Sequence, residues 1–387
     1  MENIRSLFFL DSNVTFLNHG SFGATPLPVL EAYQNWQQRL ERQPVKFLIR
    51  EFPDLMAHAR QKLGEYINAH PDDLVYVSNA TFGLNVIARS LELGPEDEVL
   101  TTNHEYGACD NVWKFLSRKK GFTYVQQNIP LTFESPEHMI KLFWQGVTPK
   151  TKVIYLSHIT SATAVTFPVD AICKKAREAG IFTIIDGAHA PGQIPLDMHA
   201  IGADVYFGNA HKWMCSPKGA AFLYTRKDKQ HLVEPLIIGW GWGENKTFTY
   251  GSDYLDYLQW PGTKDFSAYL SVPAAIQFQE DHNWTAVRQS CHTLLTEALE
   301  QVSDITKVSS PYADDNFYHQ MAVAPIPPIS DLPAFKNALY DQYCVEIPGV
   351  QWGDQQFIRI SIQGYNTKKD VETLLKALQH LLPIYQA

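Results

Sequence analysis

Tyr206–Gly219 reads YFGNAHKWMCSPKG, and the fold turns on how it is read. An apolar run over 204–208 leads into it and a second run over 220–224 leaves it. Between the runs lies a short polar loop that carries Lys212, flanked by His211 and Trp213. Two short apolar runs bounded by Gly, Asn and Pro predict strand, loop, strand. A lysine on such a loop sits in a walled, partly dry place, where an ammonium is disfavoured and the amine becomes a usable nucleophile. Taken alone, a loop lysine is solvated, because lysine is rarely buried unless paired.

The stretch upstream changes that balance. Residues 182–186 read FTIID, an apolar run ending in Asp186, followed by Gly187, Ala188 and His189. Further runs at 74–77, 98–102, 122–126 and 152–158 alternate with helical patterns at 80–91, 135–144 and 168–179. That order predicts a mostly parallel α/β sheet with right-handed crossovers. Open parallel sheets build their sites outside the carboxyl ends of the strands, so Asp186 and Lys212 belong at one edge. An acid and a lysine placed there match the needs of pyridoxal phosphate. The lysine forms the Schiff base, and the acid keeps the pyridine nitrogen protonated so that the ring accepts electrons.

Seven motifs stand in order along the chain: NHGSFG at 18–23, SNATFGLN at 78–85, TTNHEYGA at 101–108, IIDGAHAPGQ at 184–193, NAHKWMCSPKG at 209–219, WPGTKD at 260–265 and RISIQGYNT at 359–367. Together they resemble the class V aminotransferase family of fold-type I pyridoxal-phosphate enzymes, and within it the isopenicillin N epimerase-like branch. The resemblance implies a large cofactor-binding domain over 18–264. A smaller α/β domain would cover 265–387, with residues 1–17 packing on it. It implies an internal aldimine at Lys212, Asp186 on the pyridine nitrogen and His189 on the ring hydroxyl. His104 would stack on the pyridine ring, with Tyr106 as its rival; many members read Glu-His where this chain reads Asn103-His104. Ala80, Thr81, Asn209 and His211 would hold the phosphate, Asn209 standing where the family often has serine. Thr263 would reach the phosphate of the other subunit, which implies a homodimer with a shared active site. The amino-acid substrate would lie near His19 and Ser161, its α-carboxylate on Arg359.

Arg359 also stands out without the resemblance. It lies inside FIRISI at 357–362, and a buried arginine requires an anion. Its planar fork suits a carboxylate.

Composition removes other classes. The 387 residues are 45% hydrophobic and 19% charged, which suits a globular chain long enough for two domains. The formal net charge of −9 leaves no basic footprint for nucleic acid or anionic lipid. Five cysteines without CxxC spacing read as reduced thiols, which points to the cytoplasm. The apolar run before Asp11 is too short for a signal peptide, and no stretch approaches a membrane span.

The reaction outcome is weighed on second groups. Desulfurases carry a nucleophilic cysteine on a loop before the arginine, but 350–355 reads VQWGDQ, and Cys344 is expected in the core at the start of a strand over 344–347. Epimerisation needs a second acid or base, with His19 and Tyr106 as candidates, whereas β-elimination from cysteine or cystine needs one base and a good leaving group. A metal-dependent hydrolase using His104, Asp186, His189 and His211 is a remote alternative, since no metal-ligand spacing is present. A non-catalytic binding protein is opposed by the presence of both Lys212 and Arg359. The Gly- and aromatic-rich stretch over 240–262 reads as a long functional loop.

Overall fold

The structure, a computed structural model, describes residues 4–386. Twelve strands occur in chain order. They are β1 (Thr15–Phe16), β2 (Leu74–Val77), β3 (Glu98–Thr102), β4 (Thr123–Gln127), β5 (Thr151–Ser157) and β6 (Phe182–Asp186). Then follow β7 (Val205–Gly208), β8 (Ala221–Thr225), β9 (Met321–Ile326), β10 (Val345–Glu346), β11 (Gly349–Trp352) and β12 (Gln355–Ser361).

Seven strands form the large sheet in the order β2-β8-β7-β6-β5-β3-β4. All run parallel except β8, which is antiparallel to both neighbours. The cause lies in the connections. The helices Gly107–Lys120 and Val169–Glu178 carry the chain back over the sheet between parallel strands. The loop 209–220 holds no helix, so β8 simply returns beside β7. Strands β6, β7 and β8 are buried along nearly their whole length, which is why their sequences are continuous apolar runs rather than alternating ones. Strand β4 lies at the edge and reads TYVQQ, half exposed.

A second, antiparallel sheet has the order β11-β12-β9 and packs with the helices Trp284–Thr306, Leu332–Tyr343 and Lys368–Tyr385. The N-terminal segment joins this part of the molecule. Thr15 and Phe16 pair in parallel with Val345 and Glu346, and Arg5 makes a 3.0 Å ion pair with Asp370.

The helical stretch after 266 is broken into Ser267–Leu270 and Val272–Asp281, because Pro273 lacks the N–H that would continue the first. Two local expectations are corrected. The stretch 240–262 is not one loop: Ser252 caps a helix over Asp253–Leu258. Cys344 is exposed, not core. It caps the helix Leu332–Tyr343 at φ 53, and that left-handed turn holds it outside β10. Among the described residues no helix is long and apolar enough to cross a membrane.

Candidate active site

A cavity of about 580 Å³ lies against the carboxyl edge of the large sheet. It is reached by Asp186 at the end of β6, by Ser157 at the end of β5 and by the segment 78–81 after β2. The loop 209–220 between β7 and β8 brings Asn209, His211 and Lys212 to the same place. Parallel strands deliver their ends to one side, so residues far apart in sequence converge there.

Lys212 borders the cavity, and its Nζ lies 3.0 Å from His189 Nε2. Burial, and the nearby Arg359 guanidinium, lower its pKa to about 7. The amine is therefore substantially free near neutral pH. His189 is itself pushed well below its ordinary value, chiefly by burial and by Lys212. Its other nitrogen, Nδ1, accepts from the Trp213 indole at 3.3 Å.

Asp186 is held in place by three donors. The Ala188 amide donates to Oδ1 at 2.8 Å, and the Tyr155 hydroxyl and Cys109 thiol donate to Oδ2 at 3.0 and 3.6 Å. Burial raises its pKa, and the Ala188 and Tyr155 hydrogen bonds oppose that rise. A cation placed against this carboxylate would restore the anion.

The other end of the cavity is built by the helix Ala80–Ser90. Asn79 caps it, its Oδ1 accepting from the Phe82 amide at 2.8 Å. Asn209 reaches across from the lysine loop and accepts from the Ala80 amide at 2.9 Å, which leaves its own Nδ2 to donate. Thr81 lines the same wall. A helix N-terminus presents free N–H groups and positive potential, the environment an anion needs. His211 donates from Nδ1 to the Ala220 carbonyl at 2.8 Å, so the neutral ring offers a lone pair at Nε2. Burial lowers its pKa to about 4. It becomes a donor at Nε2 only when an anion there draws the ring to imidazolium.

Arg359 rises from β12 behind this cavity and is buried. Its Nη1 donates to the Ser161 carbonyl at 2.5 Å, and its Nη2 donates to Ser21 Oγ at 3.0 Å. Its Nε has no partner among the described residues. These partners are neutral oxygens, and burial lowers its pKa to about 10. Ser21 and Ser161 both line the cavity, so the guanidinium stands directly behind its wall.

Three of the expected residues lie elsewhere. His104 is fully buried. Its Nδ1 meets Thr163 Oγ1 and its Nε2 meets the Ile129 carbonyl, each at 2.8 Å, while Trp352 of β11 packs on its ring at 4.7 Å. The ring faces the small sheet, away from the cavity, and has no nitrogen left for a metal. His19 is also fully buried, with Nδ1 on the Tyr365 hydroxyl at 3.0 Å and Nε2 on the Lys212 carbonyl at 3.1 Å. It braces the lysine loop from behind. Thr263 is exposed and lines a separate, smaller pocket with Lys264 and Ser78. Among the described residues no three His, Cys, Asp or Glu side chains are grouped to hold a metal ion.

Sequence reasoning missed several residues that line the cavity, among them Ser21, Phe22, Cys109 and Ser157. It also missed Glu105, a buried carboxyl that takes hydrogen bonds from the Ser157 amide and hydroxyl at 3.0 and 2.6 Å. Burial raises its pKa to about 8. Tyr106, two residues beyond His104, does line the cavity and is 49% exposed there.

The sequence and the fold are matched by known proteins. Residues 17–374 match the aminotransferase class-V family. The chain belongs to that family. Isopenicillin N epimerase of Amycolatopsis lactamdurans is 32% identical over 98% of both chains, and that of Streptomyces clavuligerus is 29% identical over the same shares. A probable chloroplastic L-cysteine desulfhydrase of Arabidopsis thaliana is 26% identical over 96% of this chain and 84% of its own. Among solved structures, the cystine C–S lyase C-DES bound to cysteine persulfide has a TM-score of 0.83 at 22% identity. That match covers 96% of this chain and 98% of the other and shows the shared fold. The class-V chain is an enzyme, and its cofactor is pyridoxal phosphate. The donor set fits that group: an amine of lowered basicity, a carboxylate held for a cation and a helix N-terminus for an anion stand around one cavity.

Proposed function

We propose that this enzyme abstracts the α-proton of an amino acid, with Lys212 as the base, in an epimerase-type reaction. The observation that carries the reading is the pair formed by Lys212, an amine of lowered pKa, and Arg359, a buried guanidinium with no carboxylate partner, at the same cavity. Among the described residues neither makes an ion pair with a carboxylate, and an amino acid held with pyridoxal phosphate would supply an anion. When bound, the cofactor supplies an electron sink for the α-carbon.

In this reading the chain's own groups divide the work. Asp186 would face the pyridine nitrogen and keep its proton in place. His189 would face the ring hydroxyl. Ala80, Thr81, Asn209 and His211 would hold the phosphate. Arg359 takes the α-carboxylate through its fork, with Ser21 and Ser161 setting the direction of that fork. Lys212 removes the α-proton on one face. Tyr106 would cover the cofactor ring, since His104 points away, and its hydroxyl is the candidate acid for the opposite face. The chain would pair as a homodimer, with Thr263 placed to reach the partner's phosphate. The apolar run that includes Ile237, Ile238, Trp240 and Trp242, each 47% to 63% exposed, supports a covered face near it. The division at 264/265 and the cytoplasmic location belong to the same reading.

A second reading, β-elimination from cysteine or cystine, is favoured by one observation. His19, a candidate second base, has both ring nitrogens engaged away from the cavity, and elimination needs one base only. Relatives described as cysteine desulfhydrases carry it further.

One experiment separates the two. The holoenzyme is incubated with amino acids in D2O. Deuterium at the α-carbon together with the opposite enantiomer supports the epimerase reading. Pyruvate with sulfide or persulfide replaces it with the lyase. A protein that stays colourless with added pyridoxal phosphate sinks both.

A further inference from the structure

Trp213 follows Lys212 directly and is fully buried. It is fixed on several sides. His19 packs on its ring at 4.9 Å, and Gln279 Nε2 donates to its carbonyl at 3.1 Å. Gly192 approaches its backbone so closely that a Cβ there would lie 2.3 Å from it. The turn carrying His189 and the loop carrying Trp213 are thus locked together.

That lock has a chemical consequence. An indole N–H can only donate. Its partner, His189 Nδ1 at 3.3 Å, must therefore present a lone pair. Buried neutral imidazole has one N–H, so the proton is on Nε2, which faces Lys212 Nζ at 3.0 Å. A donor needs an acceptor. The free amine has a lone pair, and the ammonium has none. We infer that Trp213 is a positioning residue that fixes the His189 tautomer and thereby holds Lys212 in its uncharged form.

This inference deepens the reading of Lys212 as the reactive amine and rests on it. The other groups that act on Lys212 are Arg359, which disfavours the ammonium, and Asp186 and Cys109, which favour it. His19 bonds the lysine's carbonyl, and Lys218 lies close enough to disfavour a charge on His19. None of these has its hydrogen bonds changed by Trp213→Phe, which keeps the ring and removes the N–H.

The test uses the full chain without cofactor, so that it does not depend on activity. The rate at which Lys212 is acetylated by acetic anhydride is followed against pH by mass spectrometry. In Trp213→Phe the midpoint should rise by about one pH unit, the worth of one hydrogen bond. In a His189→Phe background the same substitution should shift nothing, because that ring has neither an N–H nor a ring-nitrogen lone pair to orient. An unchanged midpoint in Trp213→Phe, or an equal shift in both backgrounds, overturns the inference. Should the variants not fold, 15N NMR of histidine-labelled wild-type protein decides it. The His189 proton must be found on Nε2, and a proton on Nδ1 ends the proposal. A correct tautomer in a chain that does not react with amino acids would leave the inference standing and remove the proposed function instead.

Discussion

At Lys212 the sign of the pH dependence follows from the direction of the shift. Its pKa is lowered to about 7, so the amine is free above that value and charged below it. Attachment of pyridoxal phosphate to the cofactor-free chain should rise about tenfold per pH unit below 7 and level off above it. Rapid-mixing absorbance checks this, and a rise continuing toward pH 10 would contradict it. Lys212→Ala should leave no absorbance band that borohydride can reduce. Arg359→Ala should lower kcat/KM about 10- to 100-fold, the loss expected from removing a charge-assisted hydrogen bond of about 1.5–3 kcal/mol. Its thermal stability should not fall in proportion, because a costly buried charge goes with it. Lys212 and Asp186 were legible in the sequence for a simple reason: Asp186 closes an apolar run and Lys212 lies on the short loop that follows one, and such runs are strands whose ends form the site. His104 was not legible in the same way. It and Tyr106 lie in one turn, and which side chain enters the cavity is set by the path of 102–107, where Thr102 Oγ1 accepts from the His104 amide. His19 depends on Tyr365, a partner 346 positions away that no local pattern announces.

At the scale of elements, the hairpin β11–β12 holds the stretch 350–355, which has no cysteine. Here it carries Trp352, which packs on His104 and donates its indole N–H to the Asn103 carbonyl at 3.4 Å. The hairpin is therefore a structural contact between the small sheet and the turn after β3. His104→Ala should lower the melting temperature by leaving that contact empty, at a cost of about 1–3 kcal/mol, and should leave the cofactor spectrum unchanged. Tyr106→Ala should do the reverse, weakening cofactor retention with little effect on melting. A spectrum changed by the His104 variant alone would restore that residue to the ring. Gly192 makes a second case. Its φ of 88 and the Trp213 backbone beside it leave no room for a methyl group. Gly192→Ala should cost more than about 2 kcal/mol in denaturant unfolding. The parallel order of the large sheet was readable from alternating strands and helices. The reversal at β8 depends on a loop without a helix, and Cys344 on a left-handed cap that its apolar neighbours conceal.

At the scale of the molecule, Thr263 and the exposed run ending in Trp242 lie outside the cavity they are proposed to complete. Sedimentation of the full chain should therefore give a dimer. Thr263→Ala should lower affinity for the cofactor about tenfold without changing the sedimentation coefficient. A monomer that retains cofactor normally would remove the shared site.

The pairing of Thr15 and Phe16 with Val345 and Glu346 has a consequence during synthesis. The earlier strand waits for one that is made about 330 residues later (345 − 15). Contacts so distant along the chain slow folding, since the loop between them must close before they form. The segment between β1 and the first long helix, which holds His19 and Ser21, waits with it. A ribosome that has finished the large sheet has thus produced Lys212 and Asp186 but not a working centre. Arg359 and the brace that His19 gives the lysine loop reach their places together, once β12 and Tyr365 have been made.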